Sequence, residues 1–456
     1  MTITPDHTNL HRTAKYFMDT GRAASHSEAV GLLEKFGLTI RVGQEIAHSQ
    51  NHQIALLTLV NVARRTFLGG IAVTGIPDGC KNLSPLAPET SLAEAVVALG
   101  AKHDAPGGSA WPVAVIGGTD AEDSPKTAWR VTWEGWRGGV IPLARGKRLD
   151  EMHAISLAPV LAAAVCAAEV FAFHAGDHPM AGKREVGLSL WRPDADWLAS
   201  ANEPVLSWLP SRLWIIGLGN LGQAFAWVLA TLPWQDRSKA EFILQDFDRL
   251  AVSNDSTSLL SFLPDVGRRK ARVVASWLDR LGFETFVEER RFGAWTRRAG
   301  EEPAVALCGV DNEDARAALE DAGFDLVIEA GLGGGPQAFR SISLHSFPAS
   351  RAARDLWSKR GDGNAGNFEN MPAYQALKED GMDECGLAQL ASRTVGVPFV
   401  GLIASCMTIA ELLRRLNGGC AVEFIAGSVS SFEFEHGCLD APVYSHGHVP
   451  AARYQE

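Results

Sequence analysis

Hydrophobic and polar positions after Arg212 switch between two spacings. "RLWIIG" is a short apolar run closed by glycine, and "NLGQAFAWVLATLP" then places apolar residues at helical intervals to about Leu232. The pattern continues with "EFILQDFD" as a strand, "GRRKARVVASWLDRLG" as a helix, "FETFVEERR" and "AVALCGVDN" as strands, "EDARAALEDAG" as a helix and "DLVIEAG" as a strand. Strands alternating with helices predict a doubly wound α/β domain around a parallel sheet. Next come a strand-like "FRSISLHSF" and a polar, glycine-rich excursion, "SKRGDGNAGNFENMPAYQALKEDGMDE". A long apolar helix, "FVGLIASCMTIAELLRRL", follows and stops at Gly418 and Gly419.

The first two hundred residues run through a similar order. "LTIRV" reads as a strand, "HQIALLTLVNVARRTF" as a helix, "GGIAVTG" as a strand, "SLAEAVVALGA" as a helix, and "WPVAVIGGTD" and "GWRGGVIPL" as strands. They lead to the apolar helix "LAPVLAAAVCAAEVFAFHAG", which echoes the later long helix in composition and in its glycine stop. The chain therefore reads as an internal duplication. After "LTIRV" the first copy has "GQEIAH", with the single Gly43, so it is expected to be unable to hold a nucleotide. The predicted organisation is a degenerate domain over 1–200, an active domain over 201–349, a crossover segment over 350–394, and a closing helix with tail over 395–456.

Composition narrows the function classes. The 456 residues are 46% hydrophobic and 21% charged, as in a globular protein, and 42 basic against 53 acidic side chains give a formal charge of −11. That balance argues against nucleic acid as the main partner, and no basic patch interleaves with the tryptophans. The start, "MTITPDHTNLHRTAKYF", lacks the apolar core of a signal peptide, and the longest apolar runs are interrupted by Glu169 and Glu411. A cytoplasmic protein without membrane spans is expected. Seven irregularly spaced cysteines fit reduced thiols, and without a C-x-x-C pair no structural zinc is expected. His446 and His448, near the chain end, read as solvated.

Candidate chemistry centres on the glycine turn. Gly217, Gly219 and Gly222 form G-x-G-x-x-G between a strand and a helix, where backbone N–H groups can approach a phosphate. Asp246, 24 positions beyond Gly222 at the end of the next strand, can accept hydrogen bonds from ribose hydroxyls. To this point NAD and ATP are served equally. The continuation, "QDFDRLAVSND", "DVGRRK" and "CGVDNEDAR", is one that an ordinary dehydrogenase does not need.

With these residues in sequence, the stretch Arg212 to Gly419 resembles the ThiF/MoeB and ubiquitin-activating family. Its pattern is glycine turn, D-x-D, S-N, a lysine on the next helix, and D-N after the fourth strand; "RTVGVPFVGLIASCMTIAELLRRLNGG" is similar to its closing segment. The resemblance implies two tandem Rossmann-like, ThiF-type domains, the first degenerate. It further implies ATP held by Gly217, Gly219, Asn220, Gly222, Asp246 and Asp248, with Asn254 near the phosphates and Lys270 neutralising them. Asp311 would hold Mg²⁺ with Asn312 beside it. The family usually carries arginine three positions past the asparagine, where this chain has Thr257. Arg268 and Arg269 are local substitutes, and Arg12 or Arg22 would act across from the first half.

The same resemblance implies a cysteine that takes the acyl group as a thioester. Cys385, in "GMDECGLAQLASRTVGVP", lies in the polar excursion and is the candidate, whereas Cys166, Cys308 and Cys406 fall within apolar elements and read as core. The length, the dead first half and the "ECG" cysteine resemble the bacterial ubiquitin-like conjugation systems of antiviral operons, the Bil type. Expected partners are a ubiquitin-like protein and a ubiquitin-conjugating-like enzyme, with an intrachain pseudo-dimer that admits further association. A sulfur-carrier adenylyltransferase, a non-catalytic pairing subunit and an NAD-dependent oxidoreductase are the alternatives.

Overall fold

The computed structural model describes residues 6–119, 127–152, 154–199, 203–357, 368–440 and 443–452. Two mixed sheets repeat one plan. In sheet 1 the strands are β1 (Gly37–Val42), β2 (Gly70–Thr74), β3 (Lys102–His103), β4 (Val113–Ile116), β5 (Ala128–Glu134), β6 (Arg137–Pro142) and β7 (Val186–Ser189), in the order β3-β2-β1-β4-β5-β6-β7. A small ribbon strand, β8 (Trp208–Pro210), precedes sheet 2. Sheet 2 comprises β9 (Arg212–Ile216), β10 (Glu241–Gln245), β11 (Glu284–Glu288), β12 (Val305–Cys308), β13 (Leu326–Leu332), β14 (Ser341–Phe347), β15 (Ala421–Ser428) and β16 (Glu433–Leu439). Its order, β11-β10-β9-β12-β13-β14-β15-β16, matches sheet 1 with one strand added.

Directions match as well. In each sheet the first five strands are parallel, and the later ones join antiparallel. The order places the switch point between β1 and β4 in sheet 1 and between β9 and β12 in sheet 2, where strand ends diverge and leave a crevice.

Each sheet also receives a 19-residue apolar helix between two strands of its antiparallel margin: Leu157–Ala175 between β6 and β7, and Pro398–Leu416 between β14 and β15. These pack on each other and on the helices Gln50–Ala63 and Asn220–Thr231, so one buried layer serves both sheets. A helix covered on all sides needs no polar face, which explains why Leu157–Ala175 is long and apolar enough to cross a membrane while 89% of it lies inside the fold. Both helices bury one acid and neutralise it: Glu169 pairs with Arg184 at 2.9 Å, and Glu411 with Arg415 at 2.6 Å and with Arg414. A buried carboxylate without such partners would be strongly disfavoured.

Three sequence expectations need correction. The first half has three strands that the hydrophobic reading passed over, the two-residue β3, β5 and β7; in β5, Trp129, Val131 and Trp133 are all buried in the core. The chain beyond the closing helix is not a plain tail, because it supplies β15 and β16, and β17 (His448–Pro450) pairs with β8. His448 therefore packs edge-on against Trp208, and His446 lies 3.5 Å from Asp325. Finally, the polar excursion contains the helices Pro372–Glu379 and Glu384–Ser392, although positions 358–367 lie outside the described residues.

Candidate active site

Backbone geometry explains the glycines at the end of β9. Gly217 has φ +82, a region L residues rarely adopt, and a Cβ on Gly222 would lie 1.9 Å from the Gly217 carbonyl oxygen. Both glycines are required by the turn itself. Gly219, which caps the helix Asn220–Thr231, has open space where a Cβ would be, so this part of the turn can be approached from outside. Asn220 donates to the Val397 carbonyl at 3.1 Å, and its buried Oδ1 has no partner.

Asp246 fastens this turn to β10. Its Oδ2 accepts from the Leu218 N–H at 2.7 Å and its Oδ1 from the Asp248 N–H at 2.7 Å. Burial raises its pKa against the opposing pull of Lys270 and these two amides. Each oxygen keeps a lone pair for a ribose hydroxyl. Asp248, half-exposed, accepts from Lys270 Nζ at 2.9 Å. Lys270 opens the helix Lys270–Arg280, so the lysine expected to meet phosphate is held by a carboxylate that an incoming phosphate can replace.

The remaining members are placed less uniformly. Asn254 turns its Oδ1 inward to accept from the Ala251 N–H at 2.8 Å, and thus shapes its own loop. Asn312 caps the helix Glu313–Ala317 through the Ala315 N–H at 2.9 Å. One lone pair of its oxygen is thereby used by the helix. Asp311, just before it, is exposed beyond β12. Among the described residues no three His, Cys, Asp or Glu side chains gather as a metal nest. A single open carboxylate still fits Mg²⁺, which commonly takes one or two protein carboxylates and completes its shell with water and phosphate.

Beside Thr257 lies an arginine of the first half. Thr257 and Arg12 converge on Gly396: a Cβ placed there would meet Thr257 Cγ2 at 2.6 Å and Arg12 Cβ at 3.0 Å. Arg12 donates to the Thr394 carbonyl, and its own N–H donates to Ser256 Oγ at 3.1 Å. Its Nε is sealed from solvent without a partner. Burial, then Arg393, lowers its pKa to about 10, while Asp311 pulls it upward. The other candidates are engaged elsewhere. Arg22 donates to the Ala175 carbonyl at 2.6 Å and lies over Phe17; Arg268 pairs with Asp265; Arg269 donates to the Phe247 carbonyl.

The first half contributes supports that the sequence reading missed. Arg65, 1% exposed, donates to the carbonyls of Asp255 at 2.6 Å, Leu259 at 2.8 Å and Ser261 at 2.9 Å, so it fixes the loop that follows Asn254. Asn61 donates to Leu259 at 3.0 Å, and the Thr8 carbonyl accepts from the Ser253 N–H at 2.8 Å. Gln223, fully buried, links the glycine turn to the same loop by donating to Leu218 and accepting from the Leu260 N–H. Only a contact between halves could have revealed the arginine; for Gln223, a polar residue amid apolar helix positions was the available signal.

Cys385 stands apart. It is exposed in the first turn of the helix Glu384–Ser392, not in a loop, and its Sγ accepts from Gln389 Nε2 at 3.6 Å. The helix is capped by Asp383, whose carboxylate accepts from the Gly386 N–H at 2.7 Å. A helix N-terminus favours a thiolate, whereas a neighbouring carboxylate opposes it. Cys166, Cys308 and Cys406 are buried, and burial raises each thiol, Cys308 to about 12.

Residues 37–190 match the profile of the BilD N-terminal domain, and residues 209–419 that of the BilD C-terminal domain. The bacterial E1-like protein BilD of Collimonas sp. (strain OK412) is 61% identical over 453 residues, covering 99% of this chain and 98% of that one. This chain belongs to the BilD family. Among solved structures, E. coli MccB is 13% identical over 54% of this chain and 67% of its own, at a TM-score of 0.34. PaaA is 16% identical over 50% and 64%, at 0.33. The boundaries of the two BilD profiles enclose one sheet each, apart from β15 and β16 beyond Gly419.

Proposed function

We propose that this BilD-family chain activates the C-terminal carboxylate of a ubiquitin-like protein with ATP. The observation that supports this best is the convergence at one end of sheet 2: the glycine turn, Asp246, the Asp248–Lys270 pair and Asp311 all follow the C-terminal ends of parallel strands, and Arg12 of the first half lies beside Thr257 at Gly396. A nicotinamide cofactor needs no lysine, open carboxylate and borrowed arginine around its phosphates.

In the first step the carboxylate oxygen attacks the α-phosphorus, the bond to the β-phosphate oxygen breaks, and acyl-AMP and pyrophosphate result. Negative charge moves onto the departing oxygens, where Lys270 and Arg12 act as fixed cations. Bound Mg²⁺ supplies further charge neutralisation, with Asp311 as its protein ligand. Asp246 orients the nucleoside, and Gly219 allows backbone amides to approach the phosphates.

In the second step the Cys385 thiolate attacks the acyl carbon, the carbon–oxygen bond to AMP breaks, and the acyl group is held as a thioester. It then passes to the cysteine of a ubiquitin-conjugating-like enzyme, in a conjugation pathway of the antiphage type.

ATP–pyrophosphate exchange by the purified chain, with and without a ubiquitin-like protein encoded beside it, tests the first step. Carrier-dependent exchange is expected; ATP binding without exchange in the presence of the correct carrier would sink adenylation. Asp311→Ala is expected to lose exchange and thioester alike, whereas Cys385→Ala keeps exchange and loses a thiol-reducible adduct. If Cys385→Ala still forms that adduct, another thiol carries it.

A further inference from the structure

At the end of sheet 1 that corresponds to the nucleotide end of sheet 2, a side chain of the protein itself lies among the backbone amides. β1 is followed by Gly43, and β4 by Gly117 and Gly118. The Glu45 carboxylate accepts from the Gly118 N–H through both oxygens, at 3.1 and 3.0 Å, and from Arg148 Nη2 at 2.9 Å. A Cβ on Gly117 would come within 2.8 Å of Glu45 Oε2, so this glycine gives way to the carboxylate; one on Gly43 would meet the Gly118 backbone at 2.4 and 2.6 Å before reaching Glu45 Oε2 at 2.7 Å. Arg148 is shared with buried Glu151 at 2.6 Å, which in turn meets His52 Nε2 at 2.8 Å and the Thr132 hydroxyl at 2.8 Å. Arg130 closes the wall by donating to the Gly117 carbonyl at 2.7 Å.

The donors are those of an oxyanion site: a glycine-flanked amide and an arginine held in place by a second acid. The nucleoside side is blocked. β10 is followed by Asp246, whereas β2 is followed by Gly75, at φ +91 and with its Cβ direction ending 2.5 Å from the Val42 carbonyl oxygen. No ribose-binding acid can occupy that position.

We propose that the first half retains a tetrahedral-oxyanion site in which Glu45 is the built-in ligand, and that inorganic sulfate binds in its place once that carboxylate is removed. The degenerate half thus substitutes a side chain for the phosphate of its fold and keeps its strand ends ordered without a nucleotide. Nothing in this depends on what the second half activates.

Thermal unfolding of the full chain, in sodium sulfate and in sodium chloride of equal ionic strength, tests the proposal. Sulfate stabilises most proteins through exclusion from their surface, so wild type sets the baseline. Glu45→Ala is expected to melt below wild type in chloride and to gain several degrees more from sulfate than wild type does, a gain that Arg148→Ala removes when added to it. Glu45→Gln still fills the nest and is expected to show only the baseline gain. Equal sulfate gains in wild type and Glu45→Ala overturn the proposal. If Glu45→Ala cannot be recovered in chloride, recovery in sulfate alone supports the site, and recovery in neither refutes it.

Discussion

Replacing Arg12 with alanine isolates what the first half gives to the second. The side chain is largely buried, and its pKa of about 10 leaves roughly one molecule in a thousand neutral at pH 7, so the site holds a permanent cation beside Thr257. It has one strong bond, to the Thr394 carbonyl, and a buried Nε with no partner, an arrangement that keeps a donor in reserve. Removal of one preorganised donor from a site of developing charge typically costs about 10²–10³ in rate, near 3–4 kcal/mol. Arg12→Ala is therefore expected to reduce pyrophosphate exchange by about that factor while ATP binding falls far less. Because Arg12 and Thr257 converge on Gly396, a cation can also be offered from the other side. The double variant Arg12→Ala/Thr257→Arg is expected to recover part of the exchange, and Arg12→Lys, which keeps charge but not the planar fork, to lie between. The reasoning fails if Arg12→Ala exchanges within about threefold of wild type at saturating ATP, since the arginine would then be a packing element of the N-terminal segment and nothing more.

Arg65→Leu removes the donors that hold three loop carbonyls and leaves them buried, so a loss of about 3–5 kcal/mol in urea unfolding is expected; an unchanged midpoint would show that water replaces the guanidinium. Gly222→Ala drives a methyl into the Gly217 carbonyl and is expected to abolish ATP binding measured by calorimetry, where ordinary affinity would mean that the turn can shift. Lys270→Met, losing the partner of Asp248, is expected to raise the ATP concentration needed for half-maximal exchange and to lower the maximal rate. Burial, reinforced by His26, pushes His11 down to about 4, so the unfolded chain takes up a proton from pH 6.5 downward while the folded one does not. The contribution of neutral His11 is complete above pH 6.5 and is lost as pH falls through 4, a change of about 3 kcal/mol. Unfolding midpoints at pH 7 and 4 should therefore converge in His11→Gln relative to wild type, and parallel loss in both proteins would remove His11 as the source.

What could be read from the sequence follows from how local each feature is. The glycine turn, Asp246, Lys270 and Asp311 were legible because each belongs to a strand end or helix start with its own pattern, and the structure places them at one end of sheet 2. The echo of the two apolar helices was legible from composition, and the matching strand orders account for it. The strand β5 was within reach, since "AWRVTWE" alternates large strand-favouring residues, Trp129, Val131 and Trp133, with polar ones. By contrast, that Arg12 and not Arg22 lies beside Thr257 could not be read locally, because it depends on contacts 244 and 382 positions away along the chain. Asn254 and Asn312 show how one residue type suits both a ligand and a cap: in each case the side-chain oxygen accepts from its own loop or helix, and the amide NH2 is not used in that bond.

The same contacts indicate why a half without a nucleotide turn remains attached to one that has it. Arg12, Asn61, Arg65 and Thr8 all belong to the first half, and all end on the loop over residues 253–261 or on the irregular segment at Thr394. Covalent attachment keeps these groups at a fixed local concentration, so the site does not depend on a dissociable partner to be complete. Freed from holding a nucleotide, the first half can fill its own strand ends with Glu45, His52 and Glu151, which a shared, symmetrical ancestor with two working sites would have had to keep open. The two halves thus differ at corresponding strand ends: in the first the Glu45 carboxylate accepts from the Gly118 N–H, and in the second Gly219 and Asp311 face open space. Loss of the internal anion should therefore be felt first as weakened support for the Asn254–Ser261 loop, through the helix Gln50–Ala63 that carries both His52 and Asn61, rather than as any gain of nucleotide chemistry.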